Sequence, residues 1–247
     1  DLSPLASLTN LRSLSLSAKM TITDTSPLVS LTNLEELSFD GNTASYGGVS
    51  DLSFASQMPN LKTLYVSTSG LTSLEGLQGA TGLTSLYITG YDMNVTDFSP
   101  LASLTSLSEL NISANGQDNV LYSRDLSFLS GMTNLRSLWF SATQIDSLSG
   151  IEGAVDLSTL YLQGVTSSAD LNALATLTNL QDLSIYGEGN SLPHTEDTDF
   201  LSGMTKLRSL TLFVDGIRDL SGLAGLSELR EFSILDRGLI ADWSPVD

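Results

Sequence analysis

The residues able to do bond-making chemistry are few. His194 is the single histidine in 247 residues, and cysteine is absent. The segment HTEDTD sets His194 near Glu196, Asp197 and Asp199, which are ligands for a hard cation, but their spacing matches no calcium loop. A histidine metal cluster and thiolate chemistry are both excluded by composition. A Ser-His-Asp arrangement would have to use this one imidazole on a loop. No Walker-type or G-x-G-x-x-G phosphate loop occurs, and GEGN at Gly187 is too short to form one. The two N-x-S/T sequons, at Asn94 and Asn111, are what a Ser/Thr-rich chain contains by chance. These observations predict a protein that is not an enzyme, with no catalytic residue, cofactor or metal.

What remains is a patterned surface, and a repeat must position it. The frame L-x-x-L-x-L, other apolar residues allowed, begins at Leu11, Leu34, Leu61, Leu83, Leu107, Leu135, Leu157, Leu180, Leu207 and Leu229. Successive frames are 23, 27, 22, 24, 28, 22, 23, 27 and 22 residues apart, so about ten repeats of 22–28 residues fall into a three-repeat superperiod. The units match in residue identity as well as in length, as in LKTLYVSTSGLTSL and LRSLWFSATQIDSL. A three-coil unit has therefore been duplicated. The alternation Leu14, Ser15, Leu16 is strand-like, with leucines inward. The segments that follow carry irregular apolar spacing with Gly, Ser and Pro, which predicts turns and short 3-10 helices. One coil cannot bury its leucines alone, whereas stacked coils share a core and pair their strands.

The frame, followed by turns of the type SPLASLTNL (Ser3 to Leu11, Ser26 to Leu34, Ser99 to Leu107), resembles the bacterial leucine-rich repeats of the internalin type. The resemblance covers the whole chain. It implies an α/β solenoid, a leucine-rich-repeat horseshoe with a parallel concave β-sheet, exported, displayed at a bacterial surface and binding a protein. Family members place Asn three residues after the last leucine of the frame; here only Asn42 and Asn115 do so. We expect residues 1–247 to be a single domain cut from a longer surface protein, extracellular or cell-surface in location and monomeric.

If the alternation holds, the third, fifth and seventh places of each frame face outward on the concave side. The fifth-place column includes Tyr65, Tyr87, Asn111, Trp139 and Tyr161, and the seventh adds Tyr186 and Phe213. Strands favour aromatics for cross-strand packing. An exposed run of Tyr and Trp is also the composition of binding hot spots. Tyr65 with Tyr87, and Trp139 with Tyr161, should form adjacent pairs, with Asn111 as a polar step between two patches.

The same outward positions carry Glu36, Asp40, Glu109, Asp182 and Glu231 and no Lys or Arg. With a net charge of -18, such a face should reject nucleic acid and anionic membranes and prefer a neutral or basic protein. A glycan is an alternative ligand, since sugars stack on aromatic faces, and a structural spacer is a third reading. Arg12, Lys62, Arg136, Arg208 and Arg230 each follow a frame's first leucine and form a stripe that balances nearby acids. Loops inserted in the long repeats offer Tyr46 and Tyr122 as further contacts. Trp243 should pack beneath the last strand. No apolar run is long enough to span a bilayer, so no membrane insertion is expected.

Overall fold

The computed structural model describes residues 1–17, 22, 24–40, 49, 51–115, 120–187, 192–235 and 240. Asn42, Tyr46 and Trp243 lie outside the described residues, as do three of the four residues of GEGN. The chain divides into two compact units, Asp1–Leu121 and Tyr122–Asp247.

The first unit is built on β1 (Ser13–Ser17), β2 (Glu36–Asp40), β3 (Thr63–Ser69), β4 (Ser85–Tyr91) and β6 (Glu109–Asn115), all parallel and in that order. A two-residue strand, β5 (Asn94–Val95), pairs with Val120 and Leu121 at the start of β7 (Val120–Ser123). In the second unit β8 (Ser137–Ile145), β9 (Thr159–Val165), β10 (Asp182–Gly187), β11 (Ser209–Phe213) and β12 (Glu231–Leu235) are likewise parallel neighbours in sequence order.

The repeated frame sets this register. Fourth-place leucines meet across strands, as Leu37 with Leu64 and Leu64 with Leu86 in the first unit, or Leu138 with Leu160 and Leu160 with Leu183 in the second. Each is sealed from solvent at 0–1% exposure, because the pleat turns it inward and coils on both sides cover it. The apolar residues of β1 and β12 are only half-buried, since each strand has a paired neighbour on one side. Leu8 in the first coil remains 47% exposed. Beneath the leucines, Phe39 packs edge-on to Phe54 at 5.7 Å, and Phe128 meets Phe140 at 5.8 Å.

Each coil returns through a 3-10 helix of three to six residues, from Ser3–Ser7 to Ser221–Leu223. An aspartate opens most of these turns. Asp24, Asp51 and Asp97 accept the backbone N–H two residues on at 2.9, 2.8 and 2.9 Å, and Asp125 and Asp219 do the same in the second unit. Hydrogen bonds from the Ser26 hydroxyl and then the Ser26 backbone hold the Asp24 carboxyl below its usual value, and Ser99 and Ser127 do likewise for Asp97 and Asp125. Ser73 and Ser147 replace the aspartate in two of the shorter coils, which turn at Gly76 (φ 96°) and Gly150 (φ 102°) instead. A Cβ on Gly76 would lie 2.4 Å from the Ser53 Cα, so close stacking of coils as well as the left-handed backbone requires glycine there.

Neighbouring coils are tied by a second asparagine position, the residue just before a frame's first leucine. Asn33 donates to the Thr9 carbonyl at 2.9 Å and Asn60 to Thr32 at 2.8 Å in the first unit, and Asn179 donates to Val155 at 3.1 Å in the second. Serine hydroxyls add to this, Ser30 donating to Ala6 and Ser103 to Gln78.

Candidate binding face

The outward places of the strands carry the aromatic residues, as the alternation requires, and each unit has its own group. In the first, β3 and β4 bring Tyr65 opposite Tyr87, with ring centroids 6.2 Å apart and tilted 38°. Tyr87 donates its hydroxyl to Glu109 on the next strand. Burial first, and the bond to Glu109 second, push the Tyr87 phenol above its ordinary pKa. Asn111 lies opposite Tyr87, and its Oδ1 is buried without a hydrogen-bond partner. Glu36 and Asp40 stand exposed at the two ends of β2, and Glu36 accepts from Ser13 at 3.2 Å.

The second unit holds a longer array. Trp139 on β8 stacks on Tyr161 of β9 at 3.9 Å with the rings 11° from parallel. Tyr161 meets Tyr186 of β10 at 5.2 Å, and Tyr186 meets Phe213 of β11 at 4.8 Å. Four rings on four consecutive strands thus form one ladder, which steps from the fifth place to the seventh between β9 and β10. The step has a steric reason. Ser184 and Thr211 occupy the fifth place on β10 and β11, and their small side chains leave room beside Tyr161 for a ring from the seventh place. Leu235 lies opposite Phe213 on β12 and continues the row. Trp139 and Leu235 at its two ends are 43% and 42% exposed, which is unusual for side chains of their size and polarity. Burial, and then the neighbouring Tyr186, raise the Tyr161 phenol. Its hydroxyl donates to Gln163 at 3.1 Å. Asp182 on β10 is exposed and is approached by the Thr159 hydroxyl at 3.5 Å.

No model of a protein family matches this chain, and no curated protein matches it in sequence. Solved structures do. An internalin, InlF, from Listeria monocytogenes str. 4b F2365 is 26% identical over all of this chain and 74% of its own, with a TM-score of 0.64. The internalin C2 of the same strain is 28% identical over 78% of each chain, with a TM-score of 0.57. The chain has a leucine-rich-repeat fold similar to that of these internalins. The Arabidopsis receptor kinase HAESA, solved with the peptide hormone IDA and the co-receptor SERK1, shares the fold at 19% identity and a TM-score of 0.60, and this chain spans 40% of it.

Elsewhere, several of the residues singled out for chemistry take part in the turns and pairings of the fold. His194 makes an isolated parallel bridge to Asp215, and its ring lies where a side chain on Gly216 would go. Asp197 accepts the Asp199 backbone N–H at 3.1 Å, as the other turn-opening aspartates do. Among the described residues no three acidic, histidine or cysteine side chains come together as a metal site. None of their helices is long and apolar enough to cross a membrane. Tyr122 donates to Asp146 at 2.6 Å, and that bond is the main reason its phenol is raised. Asn94 is exposed, while Asn111 is half-buried on its strand.

Three residues of the basic stripe, Arg12, Lys62 and Arg208, meet acids. Glu35 sits between Arg12 and Lys62 on adjacent coils, bonded to both, with Lys62 at 3.1 Å. The Lys62 bond and then the Arg12 bond depress the Glu35 carboxyl. In the second unit Arg208 bonds Glu228 and Gln181, each at 3.1 Å.

Tyr186 and Phe213 were legible as outward aromatics, but the continuation of the ladder from Tyr161 to Tyr186 was not; the signal for it lay in the alternation of large and small residues between the two outward columns.

Proposed function

We infer that this chain is a non-enzymatic binding module of a bacterial surface or secreted protein, working as one leucine-rich-repeat domain, and that it recognises a protein through the aromatic and acidic outward face of its strands. The observation that carries this reading is the ladder from Trp139 to Leu235, a row of half-buried rings on neighbouring strands that ends in two exposed apolar side chains. Partly exposed apolar rows of this kind mark contact surfaces, and Trp and Tyr anchors dominate their energetics. The acids Glu36, Asp40, Glu109 and Asp182 favour a partner that is neutral or basic where it touches them. HAESA, which is described with a bound peptide hormone, shows that a fold of this kind can present a peptide-binding surface.

The stacking weighs against the glycan alternative. A sugar ring needs an open aromatic face, and Tyr161 has Trp139 over one face and Tyr186 against the other. A row of closely spaced rings suits aliphatic and aromatic side chains of a protein.

A pull-down from host-cell surface extract tests the reading, using the chain and a Tyr87→Ser, Trp139→Ser variant matched for fold by circular dichroism. We expect a partner retained by the parent chain and lost by the variant. Equal retention would move the site away from this face, and a glycan array with hits abolished by Trp139→Ala would replace the protein with a sugar.

A further inference from the structure

We propose that the row Trp139, Tyr161, Tyr186, Phe213 and Leu235 is the seat of one amphipathic α-helix of a partner protein, laid across the strands, with basic residues about seven positions apart on one flank. This rests on the protein-binding reading above and goes on to name the element that binds.

Spacing selects the helix. The rings are 3.9, 5.2 and 4.8 Å apart from Trp139 to Phe213. An α-helix presents side chains on one face every three or four residues, about 5 Å along its axis. An extended peptide presents them every second residue, roughly 6.6 Å apart. After two rings the extended peptide has run about 4 Å ahead, nearly a full ring spacing, whereas the helix is ahead by only about 1–1.5 Å. The helix therefore keeps a side chain against every ring, and the extended peptide does not. Crossing five strands takes about 19 Å, the length of roughly 13 helical residues.

Charge selects the flank. Asp182 and Glu231 both occupy third places, so they lie on the same side of the row, two strands or about 10 Å apart. Residues i and i+7 of a helix are separated by about 10.5 Å. Glu231 is steadied by the Ser209 hydroxyl at 3.1 Å. On the other side the outward places are Ser141 and Gln163, which are neutral and bonded to each other at 3.1 Å. No outward place on β8 to β12 is Lys or Arg, so none of these strand positions repels a basic helix. The partner should be basic on one flank, apolar below and unconstrained on the other.

The test uses the immobilised full chain and two yeast-displayed libraries of equal size. One varies 14 residues on a fixed helical scaffold, and the other presents the same residue choices as linear, proline-bounded extended segments. We expect enrichment from the helical library. The enriched helices should carry Lys or Arg at positions i and i+7. Their binding should fall at least tenfold in Tyr186→Ser, Phe213→Ser and in Asp182→Asn, Glu231→Gln, both checked by circular dichroism and by a cooperative urea transition to be fully folded under the binding conditions. Enrichment of extended segments alone, of helices without the basic pair, or of clones that bind the variants equally overturns the proposal. So does self-association of the chain through the same rings. If neither library yields a binder while the cell-surface partner is still captured through Trp139, the helix is overturned and the binding reading stands. If that partner is captured equally by the ring variants, both fall.

Discussion

At the residue scale the aspartates that open the 3-10 turns link stability to pH. Asp24, Asp97 and Asp125 have carboxyls held below the ordinary aspartate value by bonds that form only in the folded chain. A group whose folded pKa is depressed contributes stability that is present above the unfolded value and lost as pH falls through the folded one. The window therefore opens near the unfolded value of 3.8 and extends below it. The urea midpoint should hold from pH 7 to about 5 and then drop. Asp97→Asn keeps the turn's acceptor but does not titrate, so its midpoint should fall less steeply below pH 4 than that of the parent. An equal slope would show that Asp97 is not among the linked groups. The same residues show how legible the sequence was. The turns followed from Gly, Ser and Pro punctuation, but the aspartates that open them were not singled out, and Asp197, read as a ligand candidate, belongs to this set.

At the element scale the strands were legible because a period of two in a fixed frame leaves no freedom. A one-residue slip would turn every leucine to solvent. The frame also placed Tyr65 beside Tyr87 and Trp139 beside Tyr161. It could not show the ring path from Tyr161 to Tyr186, because that path depends on how large side chains lean over small ones. Nor did it reveal Asn33, Asn60 and Asn179 as the ties between coils, since the expected position was elsewhere in the frame. The ladder should contribute to stability as well as to binding. Tyr161 touches rings on both sides and Tyr65 on one, at longer range. Aromatic pairs are worth about 0.5–1.5 kcal/mol each beyond area burial, so Tyr161→Ala should cost about 2 kcal/mol or more and Tyr65→Ala about half as much. Urea unfolding of both variants measures the difference. Equal costs would mean that the stacked geometry adds nothing.

At the scale of the whole molecule, charge sets the response to salt. With 28 acidic and 10 basic residues the folded chain repels itself, and screening should relieve that repulsion. Raising NaCl from 20 to 500 mM should therefore raise the thermal midpoint, while weakening a complex with any basic partner. A thermal midpoint that falls with salt would show that pairs such as Lys62 with Glu35 outweigh the repulsion. The leucine-rich architecture itself was fully legible, because it is written ten times. The binding partner is not, because recognition depends on the residues between the leucines, which the fold leaves free to vary.

The asparagine ties between coils have a direction. Asn33 reaches back to Thr9, Asn60 to Thr32 and Asn179 to Val155, and the backbone N–H groups of Glu35 and Glu36 likewise reach back to the Arg12 carbonyl. In each case the donor belongs to the coil synthesised later and the acceptor to the one synthesised earlier. A coil leaving the ribosome or an export channel thus finds its acceptors already in place, and growth can template itself from the amino end. Shortening the array from its carboxyl end leaves the earlier asparagines bonded as they are, whereas shortening it from the amino end leaves the next coil's asparagine with nothing to bind.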